Sequence, residues 1–67
     1  MYNLKDVLTE EQKLILKKNK ISYNKIIKND EDMKKFVSHV FDNVEGYKNI
    51  QDIADTIVQY HNKSKKA

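Results

Sequence analysis

Few residues of this chain have the types and spacing that catalysis requires. Ser38 and His39 are adjacent, but neighbouring side chains of a helix point about 100° apart, so they do not form a nucleophile–base pair. His39 lies off the apolar stripe of its helix and should be solvated, whereas His61 lies on such a stripe and should be partly buried. The chain has no nucleophile-elbow glycine pattern, phosphate-cradling loop or dinucleotide fingerprint. We therefore expect a protein that is not an enzyme and has no catalytic residues.

The acidic run Asp30-Glu31-Asp32 is the one cluster that suggests a bound cation. A calcium-binding EF-hand loop needs glycine at its sixth position and glutamate at its twelfth. Counted from Asp30, those positions hold Lys35 and Phe41. Carboxylates at the positive end of a helix dipole explain the run better. Since the chain also lacks cysteine and its histidines are well separated, we expect no metal and no cofactor.

Lysines support the most specific alternative function, which is nucleic-acid binding. All 13 basic residues are lysine. The candidate phosphate contacts are Lys13, Lys17, Lys20, Lys25 and Lys28. A turn at residues 20–22 followed by a short helix at 23–28 is similar in outline to a helix-turn-helix, but arginine, the usual reader of guanine, is absent. A small DNA- or RNA-binding regulator is therefore kept as the alternative.

The charges of the chain are divided between segments. Residues 1–28 carry seven lysines and three acids, whereas residues 29–62 carry three lysines and seven acids. Residues 63–67 add three lysines, which brings the net charge to +3. The simplest interpretation is that the basic segment packs beside the acidic one within the fold. The division could also bias the docking of a partner or of a second copy.

Protein binding is the preferred function, mainly because the other classes have less support. Four tyrosines are present, and tyrosine is enriched at interfaces. Leu16 lies about 100° past Ile15, beyond the apolar stripe of its helix, and should be exposed. The candidate partner-binding residues are Leu16, Tyr23, Tyr47 and Tyr60. Small regulators, inhibitors and immunity-type proteins of bacteria and phages have this size and composition.

A second copy is one partner that the length of the chain favours. A domain of 67 residues buries only about 60% of its unfolded surface. With disulfides and metals excluded, a homodimer would supply the missing stabilisation. No apolar run approaches the ~18 residues of a membrane span, and the first residues lack the apolar segment of a signal peptide. We therefore expect a cytoplasmic protein that does not contact a membrane.

The elements that position these residues are predicted to be helices. Proline is absent and Gly46 is the only glycine, which is not typical of small strand-rich domains. Apolar residues at i, i+3, i+4, i+7 and i+8 from Met33 predict a central helix over about 30–45, capped by Asp30 and ended by Gly46. The same spacing predicts a C-terminal helix over about 49–62, capped by Asn49. A capping box at Thr9 predicts helix 1 over about 10–19.

The chain is therefore predicted to be a single all-α domain, residues 1–67, folded as a small three-helix bundle. The central helix should pack antiparallel on the C-terminal helix, with a short extra helix at 23–28. Residues 1–8 and 62–67 could fray. The predicted core comprises Val7, Leu14, Ile15, Ile26, Met33, Phe36, Val37, Val40, Phe41, Val44, Ile50, Ile53, Ala54, Ile57 and Val58.

Overall fold

The computed structural model describes residues 1–65 and confirms a small three-helix bundle. The elements, in chain order, are strand β1 (Tyr2–Asn3), a 3₁₀ turn (Leu4–Asp6), helix α1 (Glu10–Lys18), strand β2 (Ile26–Ile27), helix α2 (Asp30–Asn43) and helix α3 (Tyr47–Lys65). Helix α3 packs against both α1 and α2, so the last helix, rather than the central one, is covered by the rest of the chain. No helix within residues 1–65 is long and apolar enough to cross a membrane.

Helix α1 has a strong structural signal at each end. The predicted capping box is confirmed, because the Thr9 hydroxyl accepts from the Gln12 amide while the Gln12 side chain accepts from the Thr9 amide. At the other end Lys20 adopts a left-handed conformation with φ 61°. The Ile21 N–H donates to the Leu16 carbonyl at 2.9 Å, and the Lys20 N–H donates to the Lys17 carbonyl at 3.1 Å. Together these bonds form a Schellman motif, which satisfies the last carbonyls of the helix.

The segment between α1 and α2 is extended, so the predicted short helix at 23–28 is wrong. Strand β2 pairs antiparallel with β1, with Tyr2 opposite Ile27 and Asn3 opposite Ile26. Two adjacent β-branched residues suit a strand, whose side chains point alternately to opposite faces. Ile27 is buried and Ile26 is exposed, as that alternation requires. The pairing joins the first residues of the chain to the segment before α2.

Helix α2 is capped one residue earlier than the sequence indicated, and helix α3 starts two residues earlier. Asn29, and not Asp30, caps α2 by accepting from the Asp32 amide at 2.9 Å. Gly46 has a positive φ of +91°, which suits glycine, but α2 already ends at Asn43 with Val44 as its cap, so Gly46 does not end the helix as predicted. Helix α3 already starts at Tyr47 and reaches residue 65, so Asn49 is not its cap and residues 62–65 are helical. Of the predicted fraying segment, residues 66–67 lie outside the described residues.

The core agrees with the sequence pattern in α2 and α3 and departs from it elsewhere. The predicted core residues that are buried are Phe36, Val40, Val44, Ile53, Ala54 and Ile57. Buried residues that the pattern missed are Leu4, Leu8, Leu16, Ile21 and Ile27. Three predicted core residues, Leu14, Ile26 and Phe41, are instead exposed. The other predicted core residues are half-buried. Phe41 lies at the flank of the α2 stripe, where its ring keeps 52% of its surface exposed.

Candidate functional site

Helix α1 presents a different face to the core from the one that its apolar residues predicted. Leu16 is fully buried at 0% exposure, so its predicted exposure is wrong and it cannot contact a partner directly. Gln12, one turn earlier, is also buried, and its Nε2 donates to the Thr56 hydroxyl at 2.8 Å and to Asp52 Oδ2 at 3.0 Å. A buried amide with its hydrogen bonds satisfied can occupy a core position. The buried face of α1 therefore includes a polar residue, Gln12, and a pattern that counts only apolar residues does not identify this face.

Because Gln12 and Leu16 face the core, an apolar side chain lies on the solvent side of α1. Leu14 is 65% exposed, and Ile15 beside it is half-buried against the core. These two residues, with the charged residues one turn before and after them, line a shallow depression of about 430 Å³. We call this surface, made of Glu11, Leu14, Ile15 and Lys18, the α1 outer face. It has an apolar centre and a charge at each end.

The two charges of the α1 outer face have opposite signs and lie too far apart to neutralise each other. Glu11 and Lys18 are seven residues apart, which is about 10 Å along the helix axis. Neither side chain has an ion-pair partner within 4.0 Å among residues 1–64, whose side chains the structure describes. Glu11 lies in the first turn and Lys18 in the last turn of α1, where the helix dipole favours each sign. The face therefore carries an unneutralised charge of each sign at fixed positions.

The face continues toward the connection between α2 and α3. Ile15 and Lys18 also line a second depression of about 380 Å³, together with Asn19, Glu45 and Asn49. Asn19 is held there by donating its side-chain amide to the Ile15 carbonyl at 2.7 Å. The apolar centre thus has a polar rim of amide and carboxylate groups, which is the usual anatomy of a protein interface.

The tyrosines predicted to bind a partner do not form one surface. Tyr47 is the first residue of α3 and is 72% exposed, whereas Tyr60 is 13 residues further along the same helix, about 20 Å away. Tyr60 is 40% exposed, and its ring meets the edge of the Tyr2 ring at 4.9 Å between centroids. Tyr23 is half-buried against the core. Only Tyr47 therefore presents most of its ring to solvent.

The lysines predicted to contact nucleic acid are divided between two places. Lys13 pairs with Glu10 at 3.5 Å, and Lys17 is exposed on the same helix. Lys20 occupies the turn after α1. Lys25 and Lys28 flank β2 and line a depression of about 330 Å³ that also holds Lys35 and Asp32. Because residues 23–28 are extended, the outline of a helix-turn-helix is not formed.

A hydrogen-bonded cluster that the sequence did not indicate joins three distant elements. His61 is buried, as its position on the α3 stripe predicted. Its Nε2 lies 2.5 Å from Asp30 Oδ1, and its Nδ1 lies 2.8 Å from the Tyr2 hydroxyl. Because a carboxylate only accepts, Nε2 donates to Asp30, and Nδ1 shares a hydrogen bond with the Tyr2 hydroxyl. The cluster ties β1 and the start of α2 to the end of α3. These residues are at least 28 positions apart, so no local motif could have shown it.

The same cluster perturbs the Tyr2 hydroxyl. Burial raises the pKa of Tyr2 above its ordinary value of 10.0, and the nearby Tyr60 and Asp30 raise the pKa further. The neutral phenol is therefore the form that the fold favours. A depression of about 440 Å³, lined in part by Tyr2, Asp30 and His61, opens beside the cluster.

Comparison with known proteins adds no relative to this description. No protein-family model, curated protein or solved structure matches the chain. Its function has to be argued from its own exposed surfaces.

Proposed function

We propose that this chain is a small, non-enzymatic protein-binding module that acts through the α1 outer face. The observation that supports the proposal is the 65% exposure of Leu14 at the centre of that face. Leu14 adjoins Ile15, and both are framed by charged side chains. An apolar centre with a charged rim suits contact with another protein, because burying the apolar centre favours binding and the charges set the orientation of the partner.

The rigidity of α1 is a second reason to choose this face. Its first turn is fixed by the capping box and its last turn by the Schellman motif. Its inner side is anchored by buried Leu16 and by the hydrogen bonds of Gln12 to α3. A face that is already ordered loses little conformational entropy on binding. A small cytoplasmic regulator or inhibitor, which is the class we propose, would need no more than such a face.

The proposal is tested by fixing and capturing the complexes of a tagged chain in a lysate of the source cells. Light formaldehyde fixation before washing retains weak complexes, and mass spectrometry identifies what is bound. We expect capture of one specific protein above the level of blank resin, either a second copy or a different chain. Leu14→Glu should reduce that capture about tenfold or more, because it places a charge at the centre of the interface.

Phe41→Glu is the matched control for this experiment. It replaces another exposed apolar residue of a helix with the same charged residue, and α2 does not contribute Phe41 to the α1 outer face. Capture by Phe41→Glu should equal that of the wild type. The proposed function would be contradicted if the wild type captured nothing above blank resin and also did not self-associate in solution. Equal capture by Leu14→Glu, with its helical circular dichroism intact, would contradict it as well.

A further inference from the structure

We propose that the partner of the α1 outer face is a second copy of this chain, bound antiparallel about a two-fold axis. The inference rests on the proposed function and specifies its partner. A two-fold axis between positions 14 and 15 would place each residue i of one helix opposite residue 29 − i of the other. Leu14 then faces Ile15 of the second copy, and Glu11 faces Lys18. One face is thus complementary to itself, as a two-fold symmetric interface requires.

The signs of the charges select the antiparallel arrangement. In it, both ends of the interface carry an opposite-charge pair, one Glu11 with one Lys18 at each end. In a parallel two-fold arrangement every residue faces its own copy, so Glu11 would meet Glu11 and Lys18 would meet Lys18. Like charges placed opposite each other disfavour that alternative. Within one chain the two residues are about 10 Å apart and cannot satisfy each other, whereas a second copy brings a partner to both.

The size of the face sets the strength of the association. It covers two helical turns, and so it belongs to the smallest class of interfaces, which bury less than about 1,200 Å² in total. We expect a dissociation constant on the order of 0.1–1 mM. The dimer would form where the chain is locally concentrated, and its affinity would fall as salt screens the exposed charge pairs.

Sedimentation equilibrium of charge-reversed variants tests the arrangement. The wild type should show an average mass that rises above 8.0 kDa with concentration. Glu11→Lys or Lys18→Glu alone replaces both attractive pairs with repulsive ones, which should weaken association about tenfold. The double variant exchanges the two signs and should associate like the wild type. An equimolar mixture of the two single variants should also associate, because every facing pair then has opposite signs.

Two features separate a loss of contact from a loss of folding. Lys17→Glu makes the same charge change in the last turn of the same helix, but off the α1 outer face, and should leave association unchanged. Both single reversals oppose the helix dipole. If lost helix stability were the cause, the double variant would associate least of the series. The proposed interface predicts instead that the double variant regains the association of the wild type. Thermal melting by circular dichroism measures each variant's folding independently.

The results of sedimentation and lysate capture together show whether the partner of the α1 outer face is a second copy. If the wild type stays monomeric at about 2 mM, above the expected dissociation constant, the partner is not a second copy. If lysate capture still depends on Leu14 in that case, the proposed function stands and the partner is a different protein. If capture fails as well, both are wrong. If the single variants dimerise as strongly as the wild type, the dimer forms through another surface, and the inference is overturned as well.

Discussion

Two leucines of α1, two positions apart, have opposite environments. Leu16 is fully buried, while Leu14 is mostly exposed. Sequence periodicity predicted the reverse, because it took Leu14 and Ile15 as the apolar stripe and had no reason to count Gln12 as buried. The amide of Gln12 reaches α3 residues some 40 positions later in the chain. That partner cannot be read from local spacing, so neither could the outward direction of Leu14.

The contrast between these leucines predicts different effects on stability. Leu16→Ala should lower the free energy of unfolding by about 2–5 kcal/mol, since it leaves a cavity in the core. Leu14→Ala should change it by less than about 0.5 kcal/mol at dilute, monomeric concentrations, because the side chain is largely solvated. Urea unfolding followed by circular dichroism measures both. A similar loss in the two variants would contradict the orientation of α1.

Tyr2 makes part of the stability depend on alkaline pH. Because its pKa is raised in the fold, the folded state favours the neutral phenol, and this contribution is fully present below the ordinary value of 10.0. It is lost as pH rises through the folded pKa. We expect the wild type to lose its stability advantage over Tyr2→Phe when urea unfolding is repeated between about pH 9 and pH 11. A difference that stays constant across that range would show that Tyr2 is not buried beside His61 and Asp30.

At the scale of elements, the sequence predicts helices well where their signals are local. Helix α2 has capping residues and carboxylates at its start, a regular apolar stripe and Gly46 beyond its end, and the structure has it at Asp30–Asn43. The capping box of α1 is also local and was also correct. The prediction of a helix at residues 23–28 was wrong because the conformation of that segment depends on its pairing with β1, more than 20 positions away. Ile26 was therefore predicted to lie in the core and Ile27 was not, whereas the structure exposes Ile26 and buries Ile27.

The turn after α1 contains a strained residue that can be relieved. Lys20 has φ 61°, a conformation that costs a residue with a side chain roughly 1–2 kcal/mol and that glycine adopts freely. Lys20→Gly should stabilise the fold by about 0.5–1 kcal/mol after the greater freedom of glycine in the unfolded chain is subtracted. Lys20→Ala keeps the strain and is the control, with little change expected. Thermal melting compares them, and equal melting temperatures for the two variants would argue against the Schellman motif.

At the scale of the whole molecule, the chain is compact around α3. Its radius of gyration is 11.0 Å, close to the value of about 11 Å expected for a folded chain of this length. The Tyr2–His61–Asp30 cluster closes one end of the bundle, and Gly46 turns the chain at the α2–α3 connection. The basic segment and the acidic one are in contact through α1 and α3.

Zero-length carbodiimide cross-linking tests the central claim most directly, because it joins only a lysine and a carboxylate that are in contact. Glu11 and Lys18 of one chain are about 10 Å apart along α1, so extended side chains of a single copy could also be joined. A link counts as a contact between two copies when it joins a ¹⁵N-labelled chain to an unlabelled one in a mixed sample. We predict covalent dimers in which mass spectrometry finds the Glu11–Lys18 link, and its loss in Leu14→Glu. Covalent dimers without that link, or no dimers at about 1 mM, would contradict the paired α1 outer faces.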